Sequence, residues 1–423
     1  MRRTNGSGTR RWLVSGTCGL ATAALLAGAV VPAQAANPGR DDIVQVDLGL
    51  DGAQPNGWSE ASQLTPDGRY ALFVSAASNL VPDDVNGTYD AFLRDLRTGG
   101  IERVSVADDG SQIGAGEAAI SGDGRYVAFS SLVPPGGPGQ PDSSGWKISV
   151  RDRRAGHTTP LTSGAGDFQR PAISGDGRYV AYTSRQYDIH VTDRWKGTTR
   201  LVTAAPDGSR ADYPSDDPVI SADGTTIGFR SRAENLLPRE TADGTPSVRR
   251  RTFQFYVWNA RTGRIQGAGI DPTGAMRAVL LHARLSPDGR YALFRTGESN
   301  GPDSGASHIE LYARDLWRGE TVRAAQPLPG TRTVSDSYSG TMTADSRWVF
   351  FASDADNLVP GDTNQAPDIF RYDVRAGRIK RISMPVGDPG TAWSPHSLTV
   401  DGLGTTALYE AVGKVFARRL PAA

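Results

Sequence analysis

A tight turn followed by a strand recurs seven times in this chain, and that repetition limits the fold more than any other feature. It reads LTPDGRYALFVS at 64–75, ISGDGRYVAFSS at 120–131, ISGDGRYVAYTS at 173–184 and ISADGTTIGFRS at 220–231. It continues as LSPDGRYALFRT at 285–296 and MTADSRWVFFAS at 342–353, and a degraded copy, LTVDGLGTTALYE, begins at Leu398. The anchoring aspartates are Asp67, Asp123, Asp176, Asp223, Asp288, Asp345 and Asp401, spaced by 56, 53, 47, 65, 57 and 56 residues. A unit of that length holds four strands and their loops. Self-similarity at such a period predicts a solenoid or a propeller.

Each copy has a physical reading. Asp-Gly makes a tight reversal, because Gly tolerates positive φ and Asp caps its own backbone. The RYVAF-like run that follows is β-branched and aromatic with little polar alternation, as a strand buried on both faces requires. A third strand follows a variable loop (YDAFLRDL, KISVRDR, DIHVTDR, FYVWNAR, IELYARDL, DIFRYDV) and ends in a second Gly turn. A fourth, such as IERVSV, closes the unit. Seven such units predict an all-β, seven-bladed propeller of four-stranded antiparallel blades. The segment from Ile43 aligns with a fourth strand that has no strands before it, and the last copy lacks its fourth strand. The N-terminal strand is therefore expected to complete the last blade, leaving no open sheet edge.

The SxDGRYVAF and DIFxxDxxTG pattern resembles the WD40-like repeats of TolB-type bacterial propellers, and the resemblance covers essentially all of residues 36–423. It implies a single propeller domain of the cell envelope or the exterior. Relatives that precede prolyl-oligopeptidase catalytic domains carry a GxSxG elbow after the propeller; here the string GESNG at 297–301 falls inside a repeat, on a connection between strands, and not in a following hydrolase domain. Some pectin-degrading lyases use propellers of this general kind, so the resemblance leaves an enzyme open.

The first 35 residues hold four arginines and no acid, then an apolar run, then Ala33-Gln34-Ala35. That is the pattern of an export signal, of Sec or Tat type, removed to leave a soluble chain with no membrane insertion. The only cysteine, Cys18, lies inside it. Beyond it stand 42 basic against 46 acidic residues, a mildly acidic balance that does not favour nucleic acid. A protein, peptide or carbohydrate partner is expected instead.

Candidate chemistry is sparse. The five histidines fall in different repeats without a metal or catalytic spacing, so no catalytic residue is assigned. Two loops share Asp-x-Asn-x-x-x-Asp: Asp84, Asn86 and Asp90, and Asp362, Asn364 and Asp368. Such oxygens can wrap calcium, although they equally make Asx turns. Short Gly turns fall on one face of a propeller and the long, variable connections on the other, where binding residues gather. Trp58, Phe168, Tyr213, Tyr338 and Trp393, with Arg170, sit on connections leading to that face and are the candidate ligand-binding residues. The expected function is a non-catalytic binding propeller using that face and the channel mouth. A carbohydrate-active lyase or hydrolase at the same mouth is the alternative.

Overall fold

Seven four-stranded sheets make up the described chain, six with their strands in sequence order from the centre outward and the last with the N-terminal strand outermost. The computed structural model describes residues 43–49, 52–133, 145–162, 168–238, 252–299, 307–331, 336–363, 367–382 and 397–420. The expected signal over 1–35, Trp393 and Asn364 lie outside them. The architecture is the seven-bladed, all-β propeller that the repeats predict. Blade two shows the plan, with an inner strand Ala115–Ile120, then Tyr126–Val133, Gly145–Asp152 and an outer strand His157–Pro160. In the last sheet Ile43–Gln45 lies outermost, antiparallel to Lys414–Arg419, with Ile43 opposite Arg418 and Gln45 opposite Phe416.

The repeated motif turns out to be a wiring diagram. In blade two the Ser121 hydroxyl donates to Asp123 Oδ1 at 2.6 Å, and the Arg125 N–H donates to the same oxygen at 3.0 Å. The Tyr126 N–H returns to Ser121 Oγ at 2.9 Å, and Gly124 takes φ +69°. The Arg125 side chain then reaches Asp152, at the end of the third strand, at 2.6 Å and lies over the Tyr126 ring. The same Arg–Asp tie recurs as Arg69–Asp95, Arg178–Asp193, Arg290–Asp315 and Arg347–Asp373. Every letter of SxDGRY therefore serves the turn or the blade edge, which makes the motif scaffold.

Blade four replaces Arg-Tyr with Thr225-Thr226, and two other copies depart at the turn glycine. In blade six Ser346 stands where the others have Gly, and it is held at φ 54°. In blade seven the turn sits two residues later than the alignment of Asp401 with the other aspartates implies. Gly404 takes φ +67°, Gly404 N–H bonds Asp401 O, and Asp401 N–H bonds Thr406 O. Asp401 thus occupies the Ser/Thr position that opens the motif, and its carboxylate caps Thr405 at 2.7 Å. LTVDGLG offers two glycines, and strand pairing selects the second.

The core lies between blades. The second and third strands are buried along nearly their whole length, and stacked aromatic pairs bridge them within a blade. Phe73–Phe92, Phe229–Tyr256, Phe294–Tyr312, Phe351–Phe370 and Tyr409–Phe416 all meet at 5.5–5.8 Å between ring centres. These are register partners, so the pairing sets the contact. Each such buried ring contributes about 1.5–3 kcal/mol. In blade three His190 takes the aromatic place and stacks on Tyr182.

The inner strands are sheet edges facing the channel, and this positions the site. An edge tolerates bulges and proline because its outward groups owe no ladder bond. Register shifts interrupt the inner strands between Gln169 and Ala172 and between Asp216 and Val219. Arg170-Pro171 and Asp217-Pro218 fill those gaps.

Candidate functional site

The inner strands of all seven blades enclose a central cavity of about 550 Å³. Its two ends differ. At the Asp-Gly face, backbone bonds from blade to blade draw a narrow neck. Gly122 N–H donates to Gly175 O, Gly175 to Ala222 O and Ala222 to Pro287 O, at 2.7–2.9 Å. A second arc runs from Ala344 to Gly402 O and from Gly402 to Pro66 O. The arcs stop at Pro66 and Pro287, which have no N–H to pass on. A Cβ on Gly122 would stand 3.3 Å from Gly175 O, a close contact, while Ala222 and Ala344 make the same bond with a Cβ in place.

The other end, on the side of the connections between blades, carries charge. Glu117, Arg170, Asp217 and His282 each stand three residues before the last residue of an inner strand, in blades two to five, and all four line the cavity. Arg170, Asp217 and His282 have φ of 54°, 54° and 68°. A non-glycine residue held there costs on the order of 1–3 kcal/mol and persists only where its surroundings impose it. At Arg170 and Asp217 a bulge is that imposition. It takes the residue out of the ladder and presents it to the channel.

Each residue of this arc is tied to the next blade. The Arg170 N–H donates to Glu117 Oε2 at 2.6 Å, and the His282 N–H donates to Asp217 Oδ2 at 2.8 Å. The Arg170 guanidinium comes within 3.6 Å of Asp217 Oδ1. Behind them Arg230 is buried, donates to Asp216 Oδ2 at 2.9 Å and stands 3.8 Å from Asp217. Burial, reinforced by the fields of Arg284, Arg295 and Arg170, brings the His282 imidazole down to about 4, so it is neutral at physiological pH. Burial pushes the Glu117 carboxyl up, partly offset by the Arg170 N–H.

Blades one and seven contribute a different surface to the same cavity. Glu60 and Glu410 both line it. Burial, with the like charge of Glu60 added, lifts Glu410 to about 7. The mouth therefore sets Glu410, Glu60 and Glu117 of blades seven, one and two against the Arg170 and Arg284 guanidinium groups of blades three and five, with Asp217 of blade four between those arginines.

Of the described residues expected to bind ligand, only Arg170 lines this cavity. Trp58 is 51% exposed and lies flat against Gly413 at the junction of blades one and seven. Tyr213 is exposed. Phe168 packs edge-on against Tyr182 at 5.8 Å, within the core between blades two and three. Tyr338 is half-buried and donates its hydroxyl to Asp354 at 3.2 Å; burial pushes it up to about 12. Phe168 is thus a plug, whereas Trp58 and Tyr213 remain open to a ligand on the rim. Glu60, Glu117, Asp217, His282, Arg284 and Glu410 are the cavity residues that sequence reasoning missed. For Glu117, Asp217 and His282 the signal was a shared offset from the last residue of the inner strand, visible only once the strands are aligned.

The two Asp-rich loops each hold an arginine. Arg103 stands 3.2 Å from Asp84 and 3.8 Å from Asp90, while Asn86 Nδ2 and Ser105 Oγ donate to Asp90 at 2.8 Å. Arg381 stands 2.6 Å from Asp362 and 3.4 Å from Asp368. A guanidinium from the outer strand lies where the carboxylates converge. Among the described residues, no group of three or more His, Cys, Asp or Glu is placed to hold a metal ion.

Likeness to known proteins is structural. No family model and no curated protein matches the sequence. An oligogalacturonate lyase solved in complex with manganese superposes with a TM-score of 0.53 at 11% identity, over 90% of this chain and 93% of that one. An oligogalacturonate lyase from Vibrio parahaemolyticus gives the same values. TolB from Acinetobacter baumannii is 14% identical over 86% of this chain and 79% of its own, with a TM-score of 0.36. At these identities the two lyases share the propeller fold with this chain and nothing finer.

Proposed function

We propose that this protein is an exported, non-catalytic binding propeller that takes a protein, peptide or carbohydrate ligand at the mouth of its channel. One observation carries the reading. Three adjacent blades hold Arg170, Asp217 and His282 in the left-handed region at one equivalent position, all lining one cavity. Strain repeated at one position of a scaffold marks a site. The arc is also engaged: Glu117 and Asp217 accept backbone N–H groups, and His282 is neutral. It therefore offers a preformed hydrogen-bonding surface. Export rests on the arginine-rich, then apolar, then Ala-Gln-Ala pattern of the first 35 residues. No described helix is long and apolar enough to cross a membrane. Glycan and peptide arrays probed with the mature protein, alongside Arg170→Ala and His282→Ala, test the reading. Ligands retained by the parent and lost by both variants support it; ligands retained by all three overturn it.

A second reading has one observation in its favour. Glu410 at about 7 beside Glu60 is a carboxyl pair of the kind that general acid–base chemistry uses. It supports a carbohydrate-active lyase or hydrolase, and the lyases above show that such a fold accommodates one. Release of products from polygalacturonate, abolished in Glu410→Gln, would establish it. An inert parent protein would dismiss it for that substrate.

A further inference from the structure

Arginines in this propeller are generally matched. The turn arginines hold the aspartates that end the third strands, Arg103 and Arg381 hold the Asp-rich loops, and Arg230 holds Asp216. Arg284 differs. It is half-buried in the wall of the channel mouth, yet no described carboxylate lies within salt-bridge distance, and its one hydrogen bond is a 3.4 Å contact with the carbonyl of its neighbour Ala283. Beneath it Arg295, only 7% exposed, donates to Leu281 O at 2.8 Å and leaves its Nε–H buried without a partner. Two carboxylates act on this corner through space, and both are engaged: Asp217 receives the His282 N–H and faces Arg170 and Arg230, and Asp336 accepts the Ile309 N–H. Blade five therefore presents two guanidinium groups that no described carboxylate meets within salt-bridge distance, within a concave wall that strengthens their field.

We infer that Arg284, supported by Arg295 and Arg170, is the anchor for a single ligand carboxylate, the free C-terminus of a peptide entering the mouth. A guanidinium fork matches a carboxylate with two parallel hydrogen bonds, and both gain strength away from bulk water. Two features favour a chain end over a polyanion. Glu60, Glu117 and Glu410 line the rest of the same cavity, so a ligand with repeated carboxylates would meet them, whereas one terminal carboxylate meets only the blade-five side. The backbone neck through Gly122, Gly175 and Ala222 narrows the far end, so the geometry suits a terminus that stops there. The inference rests on the proposal that the mouth is the binding site.

The test is a pair of arrays displaying identical peptides, one with free C-terminal carboxylates and one with C-terminal amides. Hits are remeasured by fluorescence anisotropy, with tetragalacturonate as a third probe. Free acids are expected to bind at least about tenfold more tightly than their amides, as loss of a charge-assisted pair would produce. Arg284→Gln, with an unchanged melting temperature, should bring the free acids down to the affinity of the amides. Equal binding of acid and amide, no peptide bound in either array, or tighter binding of tetragalacturonate overturns the inference. If acid and amide bind equally but Arg170→Ala abolishes both, the mouth remains the site and only the carboxylate anchor falls. If neither variant affects a peptide that binds, the mouth reading falls as well.

Discussion

The backbone N–H of His282 donates to Asp217 Oδ2 at 2.8 Å across the boundary between blades five and four, and both residues have left-handed backbones. Asp217 also stands 3.6 Å from Arg170 and 3.8 Å from Arg230, so one carboxylate organises the basic side of the mouth. Asp217→Ala strands a partly buried N–H and leaves two cations facing each other. It should cost about 1–3 kcal/mol in urea denaturation. Asp217→Asn keeps an acceptor and should cost less. Equal stability of Asp217→Ala and the parent would show that the bond is dispensable.

Ser346 occupies a turn position that glycine fills in the other blades, at φ 54°. A side chain in that region costs on the order of 1–2 kcal/mol. Replacing it with glycine returns part of that to unfolded-chain entropy, so Ser346→Gly should stabilise the protein by about 0.5–1 kcal/mol. A lower denaturation midpoint would mean that the Ser346 side chain contributes more than its backbone costs.

Glu410 sets a pH dependence of defined sign. Its folded value of about 7 lies above its ordinary 4.5, so the folded state holds this proton more tightly than the unfolded chain. Its contribution to stability is full below about 4.5 and lost as pH rises toward 7. The melting temperature of the parent relative to Glu410→Gln should therefore fall across that interval. A constant difference between the two proteins would remove Glu410 from the account.

Val46 is fully buried, and its carbonyl accepts from Arg94 Nε at 2.8 Å, while Leu48 O accepts from Arg94 Nη2 at 3.1 Å. Arg94 itself is buried. Deleting residues 43–50 removes the strand opposite Lys414–Arg419 and leaves the Arg94 guanidinium without these acceptors. The expected cost is about 3–5 kcal/mol. A truncated protein that melts with the full one would rule out closure of the ring by this strand.

Turns, strands and blade number were legible because each is coded locally: a Gly at positive φ, an Asp two residues after a hydroxyl, a run of β-branched and aromatic residues. The site was far less so. Glu117, Arg170, Asp217 and His282 share a position only after the inner strands are placed in register, and the left-handed backbones of the last three leave no local pattern. Aromatics on connections were the visible signal, yet Phe168 answers to packing with Tyr182. The Asp-rich loops were visible too, but Arg103 and Arg381, which lie between their carboxylates, come from the outer strand beyond the next turn. Asp401 shows the same limit, since strand pairing chose Gly404 over Gly402.

Ligand affinity measured at both ends of the channel tests the central claim most directly. An array-selected ligand should lose at least about tenfold in affinity with Arg170→Ala and with His282→Ala, at unchanged melting temperature. Trp195→Ala and Trp317→Ala, exposed on the Gly-turn face, should bind as the parent does. Affinity lost through Trp195 and Trp317 but retained through Arg170 and His282 would place the site on the opposite face and contradict the account.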